Sequence, residues 1–481
     1  MDFIHSGVAA LQQRLSFIAV EPIDWQTYVV AFSWVICLFE SYLLLRQYPL
    51  YSKTSPPAIL ADHFKQDVFE KSQKYGKHKA KFSLFEGLYK QVLDTLQIAS
   101  GVYYPWAWSV AGQIIGKAGY GVEYQITQSI VFIFTLTFLS ALPTLPLGLY
   151  QNFVLEEQHG FNKMSLGLYF ADMAKGWALG LILGSPLLAA FLYIFEWAGD
   201  RFVPWLMALL LFFQITMVIV YPTIIQPLFN KLSPLPEGDL RGRIEALAGK
   251  LKFPLKHLYE IDGSKRSSHS NAYFFGLPWA KHIVIFDTLI KQSKPEEVEA
   301  VLAHELGHWY FYHPTKLLLV SQLHIFTILA VFPAFLHAPP LLRSFGFPES
   351  VAAHPPPIIA FLIYQACRCP HSATDTDQMV LTPLEAFVGM GLNAVSRRFE
   401  YQADRFACDL QTQLKDDEMR DMGPRLGRAL ITLHVENLST VWVDWLYSAY
   451  HHSHPTLTER LKALEAKGEV EGASREAKKE L

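Results

Sequence analysis

His304-Glu305-Leu306-Gly307-His308 is the stretch on which the reading of this chain turns. On an α-helix, residues four apart share a face, so both imidazoles reach one ion while Glu305, one position on, flanks a water bound to it. This is the H-E-x-x-H pattern of zinc proteases: two of three protein ligands and the base that would use the metal. The flanks agree. Ser293, Pro295 and Glu296 form a start of capping-box type, and Val298, Val301, Leu302 and Leu306 recur at helical spacing, which predicts a helix over 295–310.

The third ligand separates subclasses. A metzincin would continue with Gly at 311 and His at 314, but the chain has Phe311 and Pro314. His313 lies five residues beyond His308, off the ligand face, and reads as a helix-terminal histidine. A better candidate lies in Ser396–Asp404, a second expected helix on which Glu400 and Asp404 are four apart. In one reading Glu400 is a carboxylate ligand and Asp404 accepts the free N–H of a ligating histidine. In the other, this is a charged surface helix whose Arg397 and Arg398 pair with both acids. Spacing alone leaves both readings open.

The chain of 481 residues is 51% hydrophobic and only 18% charged, too apolar for an ordinary soluble enzyme of this length. It reads as a polytopic membrane protein, with candidate spans at 26–45, 96–115, 126–150, 176–198, 202–225 and 316–336, and an interrupted one within 357–395. Asp2, Arg14, Glu21 and Asp24 break any apolar core in the first 24 residues, so the first span is expected to stay as an anchor, not a cleaved signal. A net charge of −3 points away from nucleic acid. The four cysteines form neither a disulfide framework nor a zinc module. Lysines and arginines crowd the loop after the first span, from Arg46 to Lys81, which places that loop in the cytosol, the N-terminus in the lumen, and 226–315 with the H-E-x-x-H helix on the cytosolic side. Glu40, inside the first span, is expensive there and is expected to face an interior chamber or its rim.

Within 357–395 the apolar run meets Cys367-Arg368-Cys369-Pro370-His371 and a polar tract to Gln378, which cannot sit unpaired in hydrocarbon. The polar segment 228–295 predicts a helix at 239–252 and strands near 257–261, 271–276 and 282–286. Such a segment can supply an edge strand that pairs with an extended peptide, and Asn271-Ala272-Tyr273-Phe274 is the candidate. The expected organisation is a membrane domain at 1–227, a catalytic segment at 228–315, two further transmembrane helices at 316–395, a C-terminal catalytic segment at 396–465 and a disordered tail at 466–481.

Five motifs converge: Glu156–Lys163 (EEQHGFNK), Ser270–Gly276 (SNAYFFG), His304–His308, Ser396–Asp404, and Ser453–Arg460 (SHPTLTER). Together they resemble the type I CAAX prenyl protease family, integral-membrane zinc proteases that process prenylated proteins such as a-factor and prelamin A. The resemblance implies a mainly α-helical fold of seven transmembrane helices enclosing a chamber, with a small zincin-like catalytic domain facing the cytosol. It implies removal of the C-terminal tripeptide from prenylated CAAX proteins, with a second upstream cut in some. By matching positions, His304, His308 and Glu400 would bind Zn²⁺, Glu305 would be the base, and Asp404 would support a ligand. Asn271 would hold the substrate backbone, and His454 with Arg460 would assist the reacting carbonyl or the metal's surroundings. The chain departs from the family at 366–380, where the family runs an apolar span. Lys478-Lys479 near the end resembles an endoplasmic reticulum retrieval signal, giving that membrane as the expected location and the inner nuclear membrane as a further one. The partners expected are prenylated a-factor-like or prelamin-like proteins and membrane lipid. A broad membrane quality-control zinc protease is the competing reading, and a non-catalytic binder of prenylated tails a third; the intact Glu305 argues against the last.

Overall fold

The computed structural model of the chain describes residues 2–19, 23–121, 123–336, 338–366 and 382–467. The Cys-x-Cys-Pro-His pattern with its polar tract, and the dilysine pair, lie outside the described residues. Helix α1 (Trp25–Gln47) opens where Asp24 accepts a hydrogen bond from the Thr27 N–H at 3.1 Å. Helix α2 (Gln66–Ala99) folds back against it through a polar seam, where Gln91 Nε2 donates to Ser33 Oγ at 2.8 Å. Among the described residues, four helical runs are long and apolar enough to cross a membrane: Trp25–Ser52, Gln125–Glu156, Leu166–Phe229 and His313–Leu336. Their outward side chains, among them Leu38, Phe138, Ile182 and Phe212, are left uncovered by the protein, the reverse of a soluble fold.

The third run holds two of the expected spans. Gly199, at φ +49, breaks it between α5 (Leu166–Ala198) and α6 (Phe202–Val220), matching the expected gap after 198. It follows α3 (Tyr103–Lys117) and α4 (Gln125–Tyr150) in the chain. The expected span 96–115 needs correction. It straddles a break at Ser100–Val102, where Gly101 takes φ +61 and Ser100 Oγ accepts from the N–H groups that open α3. A hydropathy window does not register one glycine whose backbone turns the chain.

The polar segment after α6 forms one four-stranded sheet in the order β1-β2-β4-β3, with β1 Leu232–Pro234, β2 Leu255–Ile261, β3 Ala272–Leu277 and β4 Ala280–Phe286. Helix α7 (Asp239–Lys250) connects β1 to β2, and the short β1 was not anticipated. Strand β3 lies at the edge, paired on one side only, antiparallel to β4. Behind the sheet, Ile283 and Ile285 join Val298, Leu302 and Leu306 of α8 (Pro295–Tyr310) and Phe406 and Leu410 of the later helix α11 (Thr382–Leu414) in one core. That core is separate from the aromatic membrane core of Phe132, Phe195, Phe202, Phe332 and Tyr364. Helix α8 has the expected limits, but its cap is Lys294, whose N–H donates to the Glu297 carboxylate at 3.1 Å, in place of Ser293. It is followed by α9 (His313–Val331), α10 (Pro357–Ala366), α11 (Thr382–Leu414), α12 (Met422–Glu436) and α13 (Trp445–His451).

Candidate metal centre

Helices α8 and α11 cross where α8 carries Gly307. A Cβ there would stand 3.1 Å from the Ala403 Cα, so glycine sets how closely the two backbones approach. That approach brings His304 and His308 of α8 to Glu400 of α11. The two imidazole Nε2 atoms are 3.2 Å apart, His304 Nε2 is 3.4 Å from Glu400 Oε2, and His308 Nε2 is 3.3 Å from Glu400 Oε1. Ligands held about 2.0–2.1 Å from a tetrahedral zinc ion stand about 3.3 Å from one another. Glu400 Oε2 is buried without a hydrogen-bond donor, a cost that a bound cation removes. These residues therefore fit a metal ion.

The surroundings fix which nitrogen points inward. Asp404 Oδ1 lies 2.9 Å from His304 Nδ1, so the carboxylate takes the Nδ1–H and leaves the Nε2 lone pair free. Arg460 holds Asp404 in turn, donating from Nε to Oδ2 at 2.9 Å and from Nη2 to Oδ1 at 2.6 Å. For His308 the corresponding partner is His313, Nδ1 to Nδ1 at 3.0 Å, and His313 Nε2 is held by Gln402 Oε1 at 3.0 Å. Gln402 Oε1 only accepts, so His313 presents an Nδ1 lone pair to the His308 N–H. The His313 ring lies flat on Phe399, centroids 4.1 Å apart. Sequence reading placed His313 off the metal but missed this role. Tyr312, at φ +57, breaks the helix between His308 and His313, so helical phase did not carry across.

The open choice over Ser396–Asp404 is decided against a surface helix: Glu400 and Asp404 are 5% and 2% exposed. Arg397 pairs with neither acid, and instead donates to the carbonyls of Ser448, Ala449 and His452 at the end of α13. Helix α13 is also held by the membrane helix α1. Arg46 pairs with Asp444 at the start of α13 at 2.9 Å, and near its end the Tyr450 hydroxyl donates to Glu40 at 3.0 Å. Glu40 is thus turned toward α13. Just past α13, His454 Nε2 comes to 3.3 Å from Glu400 Oε1.

The electrostatics call for a cation. Burial works against a proton on His304, but the Asp404 and Glu400 carboxylates outweigh it and raise its pKa to about 9. Burial pushes the Glu305 carboxyl up, opposed by His304 and His308, which makes it a stronger proton acceptor than an exposed carboxylate. Asn271 is exposed at the head of β3; its carbonyl accepts from the Phe286 N–H at 3.1 Å, and β3 runs beside α8. The Glu156–Lys163 motif, legible before only as a resemblance, holds the lead-in to that strand. Phe161 stacks on His269 at 4.3 Å, Asn162 bridges Ser267, and the Lys163 N–H donates to the Arg266 carbonyl.

Membrane-length helices around a histidine–histidine–glutamate centre define a polytopic membrane metalloprotease. Residues 47–231 match the family model described as "CAAX prenyl protease N-terminal, five membrane helices", and 234–467 match that of peptidase family M48. The chain is 40% identical to a CAAX prenyl protease 1 homolog of Arabidopsis thaliana over 91% of its own length and 96% of the relative's. It is 38% identical to CAAX prenyl protease 1 of Saccharomyces cerevisiae, covering 92% and 96%, and 37% identical to the Homo sapiens homolog, covering 91% and 94%. The crystal structure of S. mikatae Ste24p superposes with a TM-score of 0.81 at 40% identity, covering 92% of this chain and 99% of that one. The chain belongs to the CAAX prenyl protease family, within peptidase family M48.

Proposed function

We propose that this metalloprotease uses zinc to remove the C-terminal tripeptide from prenylated CAAX proteins, of which a-factor-like and prelamin-like proteins are the substrate types. In this reading the endoplasmic reticulum membrane holds it, seven spans enclose a chamber, and the centre opens to the cytosol. The observation that carries the chemistry is the set of ligand separations near 3.3 Å around a buried Glu400 oxygen without a donor. The substrate class rests on family membership.

Zinc, when bound, supplies Lewis acidity and a water whose pKa is near 7. His304, His308 and Glu400 would hold it. Glu305 takes the proton of the attacking water and returns it to the departing amine, its raised pKa suiting both duties. His454, beside Glu400, donates to the carbonyl oxygen as negative charge builds there. Asn271 and the free edge of β3 hold the substrate backbone extended. Asp404, clamped by Arg460, keeps His304 Nε2 aimed at the ion. Release of the tripeptide from a farnesylated CAAX peptide by purified protein tests the reading; cleavage confined to unprenylated, unfolded chains would replace it with the quality-control reading.

A further inference from the structure

A cavity of about 800 Å³ is lined by His454 and Arg460, both of which touch Glu400, and also by His269, Asn437, Tyr75 and Lys79. The size is that of a small-ligand site. Its charge is one-sided: among the described residues no aspartate or glutamate lines it. Arg460 is engaged by Asp404. Lys79 makes no ion pair among the described residues, its ammonium lying 5.1 Å over the Tyr75 ring. Glu156 is near enough to feel Lys79, but it is taken by the Tyr75 hydroxyl at 2.8 Å and lies outside the wall. The polarity of the edge strand points the same way. A peptide added antiparallel to β3 runs its C-terminal residues toward the Asn271 end. Two positions before Asn271 is His269, in the cavity wall.

We propose that this cavity receives the three residues beyond the scissile bond and that Lys79 binds their terminal carboxylate, an inference that rests on the tripeptide-release reading above. Three extended residues span about 10 Å, so a cation in the cavity wall would measure the distance from chain end to metal. Among the described residues no carboxylate in the wall competes for Lys79, and Lys79 is the one lysine lining it, with no ion pair of its own.

The test compares a farnesylated CAAX peptide with a free C-terminal carboxylate to the same peptide amidated, using the full-length protein and reading tripeptide release. Wild type is expected to favour the free acid about tenfold in kcat/KM, mostly through KM, as losing a charge-assisted hydrogen bond implies. Lys79→Ala should bring the acid-to-amide ratio near one, and Lys79→Arg should restore it. Equal cleavage of both peptides by wild type, or a ratio that Lys79→Ala leaves unchanged, overturns the subsite while leaving the proposed function standing. Cleavage of neither peptide by wild type overturns that function, and the subsite with it.

Discussion

Glu305 and His304 sit one residue apart yet are expected to respond to different measurements. Glu305→Gln keeps the shape of α8 and all three ligands, so metal content should stay at wild-type level while turnover falls about 10²–10⁴-fold, the usual worth of a positioned base. Loss of metal in that variant would move Glu305 into the ligand set. His304 governs the pH dependence. In the metal-free protein its pKa is raised from 6.5 to about 9, so below that pH a proton occupies the place the metal must take. Apparent metal affinity should therefore climb from pH 7 and level off above about pH 9, with proton release at pH 7 seen by calorimetry in two buffers of different ionisation heat. A flat affinity profile between those values would contradict the carboxylate cage. At this scale the sequence was most readable where the chemistry is local: the two histidines and Glu305 lie within one helical turn. Glu400 needed its motif, because it lies 92 positions after His308 in the sequence. Lys79 carried no sequence signal, since nothing but the cavity wall distinguishes it from the other lysines of its helix.

The elements hold the centre through two contacts. The first is the α8–α11 crossing at Gly307, where a methyl group would press on Ala403 and Phe406 at 3.1 Å. Gly307→Ala should destabilise the protein by about 1–3 kcal/mol, as overpacking does, and weaken metal binding by moving His304 and His308 away from Glu400. A metal titration of the variant checks this, and unchanged affinity would mean that the helices yield elsewhere. The second contact is Arg397, which gathers the last carbonyls of α13 just ahead of His454. Arg397→Gln removes charge-assisted hydrogen bonds, each worth about 1.5–3 kcal/mol, and should lower kcat with metal content intact because His454 loses its fixed position. Loss of metal alongside activity would place Arg397 in the metal's own support. Hydrophobic periodicity revealed α8 because its apolar face is continuous. It could not reveal the three-residue β1 or the break at Gly101, both shorter than any pattern window.

As a whole molecule the chain joins a membrane domain to a sheet-and-helix catalytic body, and α13, pinned to α1 by Arg46 and Glu40, ties the two together. Composition made the membrane character legible because lipid-facing side chains need no polar cover. The proposed chamber could not be read in that way, since it would depend on packing between helices far apart in sequence. With the proposed orientation, a cysteine at Trp279, which is 73% exposed on the β3–β4 turn, should react with an impermeant maleimide added outside sealed microsomes. Labelling only after permeabilisation would reverse the topology. The most direct test of the central claim is zinc content and farnesylated-CAAX-peptide cleavage measured together on purified wild type, Glu305→Gln and Glu400→Ala. Wild type should hold one zinc and release the tripeptide, Glu305→Gln should hold zinc without turnover, and Glu400→Ala should do neither. A wild type that cuts the peptide without zinc, or a Glu400→Ala that keeps both, would contradict that claim.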